Sequence, residues 1–154
     1  SWSASTSAWR PTAPGSTLRA GSGAVPFHHE LRVRYGECDM QGVVFNAHYL
    51  AYVDDAMTRW QATLGQPYTD LGFDCMVVHA ELDWQGSARF DDLLEIECAV
   101  VRWGRTSFVT RFDLHVGERP VARVELTYVG VKLGTTEPMP PPTEFRRALE
   151  TAAA

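Results

Sequence analysis

The chain has 154 residues, of which 45% are hydrophobic and 21% charged, so it is long enough for one globular domain and too short for two full ones. Its net charge of −5 at pH 7 excludes the extended basic surface that holds nucleic acid or an anionic membrane. Its three cysteines lie far apart and form neither a disulfide framework nor a metal-binding pair, which favours a reducing compartment. We therefore expect a cytoplasmic protein with no nucleic-acid partner and no membrane association.

The first 26 residues differ in composition from the rest. Twenty of them are Ser, Ala, Thr, Gly or Pro, and none is Asp or Glu. Such a segment cannot bury enough apolar surface to fold, and it lacks the apolar stretch of a secretory signal. We predict a flexible tail over 1–26 and a single domain over 27–150. An organellar targeting segment or a non-native extension is the alternative for the tail.

The predicted elements follow in a simple order. Residues 27–35 alternate apolar and polar side chains, which predicts a half-buried strand. From Asn46 the period changes to three or four residues, which predicts a helix over 46–64 with Asn46 as N-cap and Gly65 as C-cap. After a loop over 65–73, four further strands and a short helix are predicted at 75–84, 93–103, 106–116, 120–133 and 143–150.

This order predicts an α+β fold. Short links between the last four strands indicate an antiparallel meander. A single helix with one apolar stripe is buried most economically by a five-stranded sheet that curls around it. Such a sheet leaves its edge strands exposed, so we expect edge pairing with a second copy of the chain.

Residues 34–49 carry the strongest chemical pattern, RYGECDMQGVVFNAHY. Asp39 precedes Gly42 and an apolar approach to the start of the predicted helix. The first N–H groups of a helix lack internal partners and stabilise negative charge. A carboxylate beside them suits acyl transfer, because it attacks an acyl carbon or activates water while the N–H groups bind the oxyanion.

This segment resembles the 4-hydroxybenzoyl-CoA thioesterase family and the related Tol–Pal-type acyl-CoA thioesterases, whose signature is D-x-x-G-x-V/I-x-x-x-x-Y. Asp39, Gly42, Val44 and Tyr49 are in register with that signature. Residues 88–108 also resemble the family's Y-D-D-x-L-x-I-E strand and the W-x-R-x-S-F turn that follows it. The resemblance extends over roughly 27–135 and implies a hotdog fold, in which a five-stranded antiparallel sheet wraps around one long central helix.

The resemblance implies an acyl-CoA thioesterase, which hydrolyses a thioester to free CoA and a carboxylic acid. Asp39 would act as nucleophile or general base, and the Tyr35 hydroxyl would orient it. The backbone N–H groups of Phe45 and Asn46 would bind the oxyanion. The family uses no cofactor apart from the coenzyme A of its substrate, and it implies a homodimer or homotetramer with active sites between subunits. The five histidines show no metal-binding spacing, so no metal is expected either.

Two groups of residues are predicted to bind the substrate. The signature segment contributes Gly42, Val44, His48 and Tyr49, and the turn after the second segment contributes Arg102, Arg105 and Ser107 as contacts to CoA. Tol–Pal-type members carry a histidine where this chain has Asn46, and the benzoyl-CoA type carries an aromatic residue there. Tyr35, in contrast, fits the Tol–Pal type. Asn46 and Tyr35 therefore give conflicting indications of the subfamily, and the sequence does not identify the acyl group.

Other carboxylates and other functions remain as alternatives. Glu37 is expected to be a solvated loop residue, and Asp54 and Asp55 to be solvated or at a subunit interface, although one branch of hotdog thioesterases uses a helix carboxylate. A non-catalytic protein that binds acyl-CoA or an acyl carrier would have the same fold. A hydroxyacyl dehydratase would need a catalytic histidine paired with a carboxylate on the central helix.

Overall fold

The computed structural model describes residues 26–151, so the predicted tail lies outside the described residues apart from Pro26. Its strands and helices are β1 (Phe27–Arg32), α1 (His48–Gln61), β2 (Phe73–Trp84), β3 (Leu93–Trp103), β4 (Ser107–Val116), β5 (Arg119–Lys132) and α2 (Thr143–Thr151). Short 3-10 turns occur at Tyr35–Glu37, Ala62–Leu64 and Tyr68–Leu71. Over 26–151 no helix is both long enough and apolar enough to cross a membrane.

The five strands form one antiparallel sheet in the order β1-β3-β4-β5-β2. The predicted four-strand meander is therefore wrong for β2, which pairs with β5 and not with β3. Residues 85–92 carry the chain from β2 across the sheet to β3, which pairs with β1 instead. This crossover leaves β1 and β2 as the two edges of the sheet.

Helix α1 packs on one face of this sheet and contributes one side of the core. Its buried side chains recur at the spacing that the sequence predicts, and they are Tyr49, Tyr52, Val53, Ala56, Met57 and Trp60. They meet the alternate buried residues of the strands, such as Leu94 and Ile96 of β3. The apolar stripe of α1 thus fixes where the helix lies, and with it where the helix begins.

The boundaries of the first elements differ from the prediction. Strand β1 ends at Arg32, and Tyr35 already belongs to a 3-10 turn. Helix α1 begins at His48 with Ala47 as its N-cap, so the predicted N-cap role of Asn46 is wrong. Gly65 does end the helical segment, with a φ of 81° that glycine tolerates best, but it caps the 3-10 turn that follows α1.

The C-terminal segment closes one end of the sheet. The Met139 N–H donates to the Gly130 carbonyl at 2.8 Å, so the proline-rich stretch after β5 passes directly over that glycine. Helix α2 then packs Phe145 against Phe73, with ring centroids 4.9 Å apart. A Cβ at Gly130 would overlap the Met139 carbonyl oxygen and would lie 2.6 Å from Cε2 of Phe73. Only glycine leaves room for this crossing.

We therefore expect Gly130→Ala to destabilise the fold by about 2–3 kcal/mol, because the extra methyl group overpacks a site bounded by backbone. Urea unfolding followed by tryptophan fluorescence measures the effect. Gly36→Ala is the matched control, since a Cβ there would meet no atom within 4 Å and the change should cost less than about 1 kcal/mol. Equal stabilities of the two variants would contradict this account of the crossing.

Candidate active site

Asp39 lies on a tight hairpin between the first 3-10 turn and α1, and we call residues 37–45 the Asp39 hairpin. At its base, Cys38 and Val44 form an antiparallel bridge, and the Phe45 N–H donates to the Glu37 carbonyl at 3.0 Å. At its tip, the Gly42 N–H donates to the Asp39 carbonyl at 3.0 Å. Gly42 has a φ of 74°, in the left-handed region that favours glycine. The hairpin thus brings Asp39 back towards the start of α1.

The Asp39 carboxylate is half-buried and partly engaged. Its Oδ1 accepts the Gln41 N–H at 2.8 Å, which fixes the side chain in the local turn. Its second oxygen has no hydrogen-bond partner among residues 26–151. The arrangement leaves one oxygen of an oriented carboxylate available for chemistry.

The start of α1 offers different oxyanion donors from those that the sequence predicts. The Phe45 N–H is occupied by the Glu37 carbonyl, so Phe45 is not available as a donor in this structure. Within the described chain the N–H groups of Asn46 and Ala47 have no backbone acceptor. The Trp84 indole N–H donates to the Asn46 carbonyl at 3.1 Å and holds this peptide in place. The unpaired donors are therefore those of Asn46 and Ala47.

Val44 and Tyr49 are buried in the core of the chain. They are 3% and 2% exposed, respectively. The Val44 N–H donates to the Ala88 carbonyl at 2.8 Å, and the Ala88 N–H donates to the Tyr49 hydroxyl at 3.2 Å. Burial raises the pKa of Tyr49. Both residues were predicted to bind substrate, but their contacts attach the Asp39 hairpin to the segment before β3.

Tyr35 also lies elsewhere than predicted. It is 82% exposed, and its ring packs edge-on against Phe90 with centroids 6.0 Å apart. Its hydroxyl makes no hydrogen bond to Asp39 or to any other residue of 26–151. The structure of the single chain therefore gives Tyr35 no contact through which it would orient Asp39.

Glu37 is buried and fully partnered, which corrects the expectation of a solvated loop carboxylate. It accepts the Arg34 N–H at 2.7 Å and the Tyr52 hydroxyl at 3.1 Å. His48 Nε2 lies 3.2 Å from its other oxygen. Burial by itself raises the pKa of Glu37, but the hydrogen bonds from Arg34, Tyr52 and His48 outweigh burial and hold this pKa below its usual value. His48, which is predicted to bind substrate, contacts this carboxylate.

The predicted CoA contacts lie at the other end of β3. Arg102 and Arg105 are exposed and form no ion pair within residues 26–151, while Ser107 begins β4 and accepts the Gly104 N–H at 2.7 Å through its carbonyl. The Asp39 hairpin bridges to Arg89, just before β3 begins. Because β3 rises about 3.3 Å per residue, its ten steps separate the two groups by roughly 33 Å along the strand. One chain alone does not bring Asp39 and these arginines together.

A pocket of about 340 Å³ lies beside the Asp39 hairpin, but Asp39 does not line it. Its lining includes Glu37, His48, Tyr52 and Asp55. Asp55 pairs with His29, whose Nε2 lies 2.8 Å from the Asp55 Oδ2. Asp54 is exposed on the same helix.

Potential metal ligands occur away from this site. His28, Glu30 and Glu95, on the solvent side of β1 and β3, have ligand atoms within 4.8 Å of one another. The register of β1 and β3 places Glu30 directly opposite Glu95. Neither the Asp39 hairpin nor the start of α1 contributes to this group.

The sequence interpretation missed Glu37 and Tyr52 as parts of the site. A signal for them was present, because His48 and Tyr52 are four residues apart and therefore share one face of α1. That spacing presents two hydrogen-bonding side chains to whatever packs against the first turns of the helix. No comparable signal identifies Ala88, since it acts through its backbone N–H and carbonyl, and such contacts do not depend on the type of side chain.

Comparison with known proteins agrees with this geometry. Residues 33–149 match the thioesterase-like superfamily, so the chain belongs to that family. A 1,4-dihydroxy-2-naphthoyl-CoA hydrolase from Synechococcus elongatus is 29% identical over 126 residues, which cover 79% of this chain and 93% of the relative. The resemblance noted in the sequence is therefore confirmed. Membership of this family also supports the prediction that the protein is an enzyme that hydrolyses thioesters.

Solved structures confirm the hotdog fold. A 1,4-dihydroxy-2-naphthoyl-CoA thioesterase from Synechocystis superposes with a TM-score of 0.72 at 22% identity, covering 80% of this chain and 94% of the other. A mutant 4-hydroxybenzoyl-CoA thioesterase in complex with 4-hydroxybenzoyl-CoA superposes with a TM-score of 0.73 at 22% identity, covering 82% and 99%. The five-stranded antiparallel sheet packed on one long helix is thus the fold predicted from the sequence.

Acid should destabilise the protein through Glu37. Its pKa is lower in the folded chain than in the unfolded chain, so the unfolded chain binds more protons between the two values. The contribution of Glu37 is complete above the unfolded pKa of about 4.3 and is lost as the pH falls through the lowered folded pKa.

We expect the urea midpoint to fall more steeply between about pH 5 and pH 3 for the wild type than for Glu37→Gln. Glu118→Gln, an exposed carboxylate in the turn between β4 and β5, serves as control and should keep the wild-type slope. A wild-type slope in Glu37→Gln would show that Glu37 does not carry this effect.

Proposed function

We propose that this protein hydrolyses an acyl-CoA thioester, with Asp39 as nucleophile or general base and the N–H groups of Asn46 and Ala47 as oxyanion donors. One observation carries the proposal. A carboxylate with a free oxygen lies on a hairpin that leads directly into the unpaired N–H groups of a 14-residue helix. A developing oxyanion is stabilised by such groups because they are fixed before the reaction begins.

Two routes satisfy this geometry. In the first, an Asp39 oxygen attacks the thioester carbon, CoA leaves as the thiolate, and water then hydrolyses the resulting mixed anhydride. In the second, Asp39 takes a proton from water, the hydroxide attacks the same carbon, and collapse of the tetrahedral intermediate expels the CoA thiolate. The helix-start N–H groups hold the oxyanion in both, and neither route needs a cofactor.

An aromatic acyl group is the substrate class to test first. The relatives named above act on dihydroxynaphthoyl and hydroxybenzoyl thioesters. Around the Asp39 hairpin this chain exposes several large apolar side chains, namely Tyr35, Met40, Phe45 and Phe90. Exposed apolar surface of this kind marks a binding site or an interface.

The proposed active unit contains at least two copies of the chain, as a homodimer or homotetramer. Strand β2 is an edge of the sheet, and its residues 76–81 are all exposed, including the apolar Met76, Val77 and Val78. An edge strand with apolar side chains exposed on both faces is stabilised by pairing with another strand. A second copy would also supply Arg102 and Arg105 to a CoA bound at Asp39 of the first. Location in the cytoplasm stays a prediction.

A hydroxyacyl dehydratase is the second candidate, because His29 is paired with Asp55 on the central helix at 2.8 Å. That pairing is what the dehydratase chemistry requires. An assay for hydration of a 2-enoyl-CoA, monitored as the loss of ultraviolet absorbance of its conjugated double bond, distinguishes the two reactions. Hydration that depends on His29 and not on Asp39 would replace the thioesterase proposal. CoA binding without any turnover would instead favour the non-catalytic alternative.

Asp39→Asn should lower kcat for thioester hydrolysis by at least about 100-fold, the scale expected when a general base or nucleophile is removed. Release of free CoA thiol is measured over aromatic, short, medium and long acyl-CoAs. Asp54→Asn, an exposed carboxylate on α1, is the matched control and should retain wild-type turnover. Unchanged turnover in Asp39→Asn, or a comparable loss in Asp54→Asn, would refute the assignment of Asp39.

Subunit complementation tests whether the site is shared. The double variant Arg102→Ala, Arg105→Ala should raise KM for acyl-CoA roughly 10-fold or more through lost charge-assisted contacts to phosphate. Co-expressed with Asp39→Asn under separate affinity tags, it should form mixed oligomers whose activity, assayed at acyl-CoA concentrations well below KM, is well above either parent. In those oligomers one site combines an intact Asp39 with intact arginines from the neighbouring chain. Mixed oligomers that are no more active than their parents would show that both groups act within one chain.

A further inference from the structure

Glu37 is the only charged residue that is buried within residues 26–151, with 9% of its surface exposed. Removing a carboxylate from water costs free energy unless hydrogen bonds replace the lost hydration. An apolar side chain would fill the same position without that cost. A buried charge next to a proposed catalytic residue therefore calls for a reason beyond packing.

The contacts of Glu37 join three parts of the chain. The Arg34 N–H and the Tyr52 hydroxyl donate to Oε1, at 2.7 and 3.1 Å. His48 Nε2 lies 3.2 Å from Oε2, and the Glu37 carbonyl accepts the Phe45 N–H at 3.0 Å. One residue thus links the turn before the Asp39 hairpin, the residue that leaves the hairpin, and the first two turns of α1.

The two strands of the hairpin are held in different ways. The outgoing strand is attached to the sheet, since Val44 bonds to Ala88 and Val43 bridges to Arg89. The incoming strand, which carries Asp39, is attached to the outgoing strand, since the Asp39 N–H donates to the Val43 carbonyl at 2.9 Å. Among the described residues its side-chain anchor to the helix is Glu37. The Glu37 contacts therefore fix the incoming strand against α1, in addition to the backbone pairing that places Asp39 in the hairpin.

We propose that Glu37 is a positioning residue, which holds the Asp39 carboxylate in register with the N–H groups at the start of α1. The inference rests on the proposed thioesterase function and deepens it. An error of about 1 Å in the placement of a catalytic group lowers turnover by as much as 100-fold. Glu37 acts through Asp39 and makes no contact with the substrate itself.

Glu37→Gln is the principal test. Glutamine keeps the shape and the oxygen that accepts from the Arg34 N–H and the Tyr52 hydroxyl, but it loses the charge and the second acceptor oxygen, which faces His48. We expect kcat to fall about 10- to 100-fold, with KM within about 3-fold of the wild type, because alignment matters in the transition state. Glu125→Gln is the matched control: it removes a carboxylate paired with Arg111 at 2.6 Å on the sheet and should leave both constants unchanged.

The double variant separates positioning from general stability. If Glu37 acts through Asp39, then Glu37→Gln in an Asp39→Asn background should change the residual rate by less than about 2-fold. Rates are measured well below the melting temperature of every variant. A fall in the double variant as large as that in the wild-type background would overturn the proposal, as would an unchanged kcat in Glu37→Gln alone.

A second variant and a second readout keep the proposal testable if Glu37→Gln folds poorly or if the wild type shows no thioesterase activity. Tyr52→Phe removes one donor to Glu37 and leaves the carboxylate in place, so it should lower kcat about 3- to 10-fold, on the scale of the net contribution of one typical hydrogen bond. Amide hydrogen exchange should also quicken in 37–46 of Tyr52→Phe and Glu37→Gln, with β3 to β5 unchanged. Wild-type exchange in 37–46 would overturn the proposal. A wild type that cleaves no thioester while these amides exchange faster in the variants would overturn the proposed function alone.

Discussion

The packing of one apolar helix stripe against one face of the sheet is the constraint on which the rest of this structure depends. Met57 and Trp60 are anchored in the core, and this leaves α1 no freedom to slide along the strands. The first turn of the helix is therefore fixed relative to residues 88–89, which hold the outgoing strand of the Asp39 hairpin. A burial pattern that has no chemistry of its own thus fixes the helix start, with its unpaired N–H groups, relative to the hairpin that carries Asp39.

Most of the elements follow from the sequence because each is encoded locally. Alternation predicts the strands within one to three residues, and the three- to four-residue period predicts α1. The position of β2 does not follow, because pairing with β5 depends on where the crossover over 85–92 delivers the next strand. Short links favour a meander, and here the long-range closure of the sheet outweighs that preference. The helix start also shifts by two residues, since residues 46 and 47 form a turn in which the His48 N–H donates to the Phe45 carbonyl at 2.8 Å.

The site divides in the same way between what is local and what is not. Asp39, Gly42 and the helix start are predicted from a contiguous motif, and their hairpin is made by contacts within that motif. The burial of a side chain depends on distant parts of the chain, and it differs from the sequence prediction at several residues. Glu37 becomes an internal carboxylate, whereas Tyr35, expected to pack in a strand, is 82% exposed. Tyr49, which is in register with the family signature, is buried, and its hydroxyl accepts the Ala88 N–H.

The separation of Asp39 from Arg102 and Arg105 along β3 has a consequence for how selectivity can change. In the proposed assembly, one chain binds the acyl end of the substrate and its neighbour binds the nucleotide end. Substitutions in 35–49 can then alter the selectivity for the acyl group while the affinity for the CoA moiety stays constant. The two ends of the molecule form independent modules of recognition, so new acyl preferences can arise without rebuilding the part that all acyl-CoA substrates share.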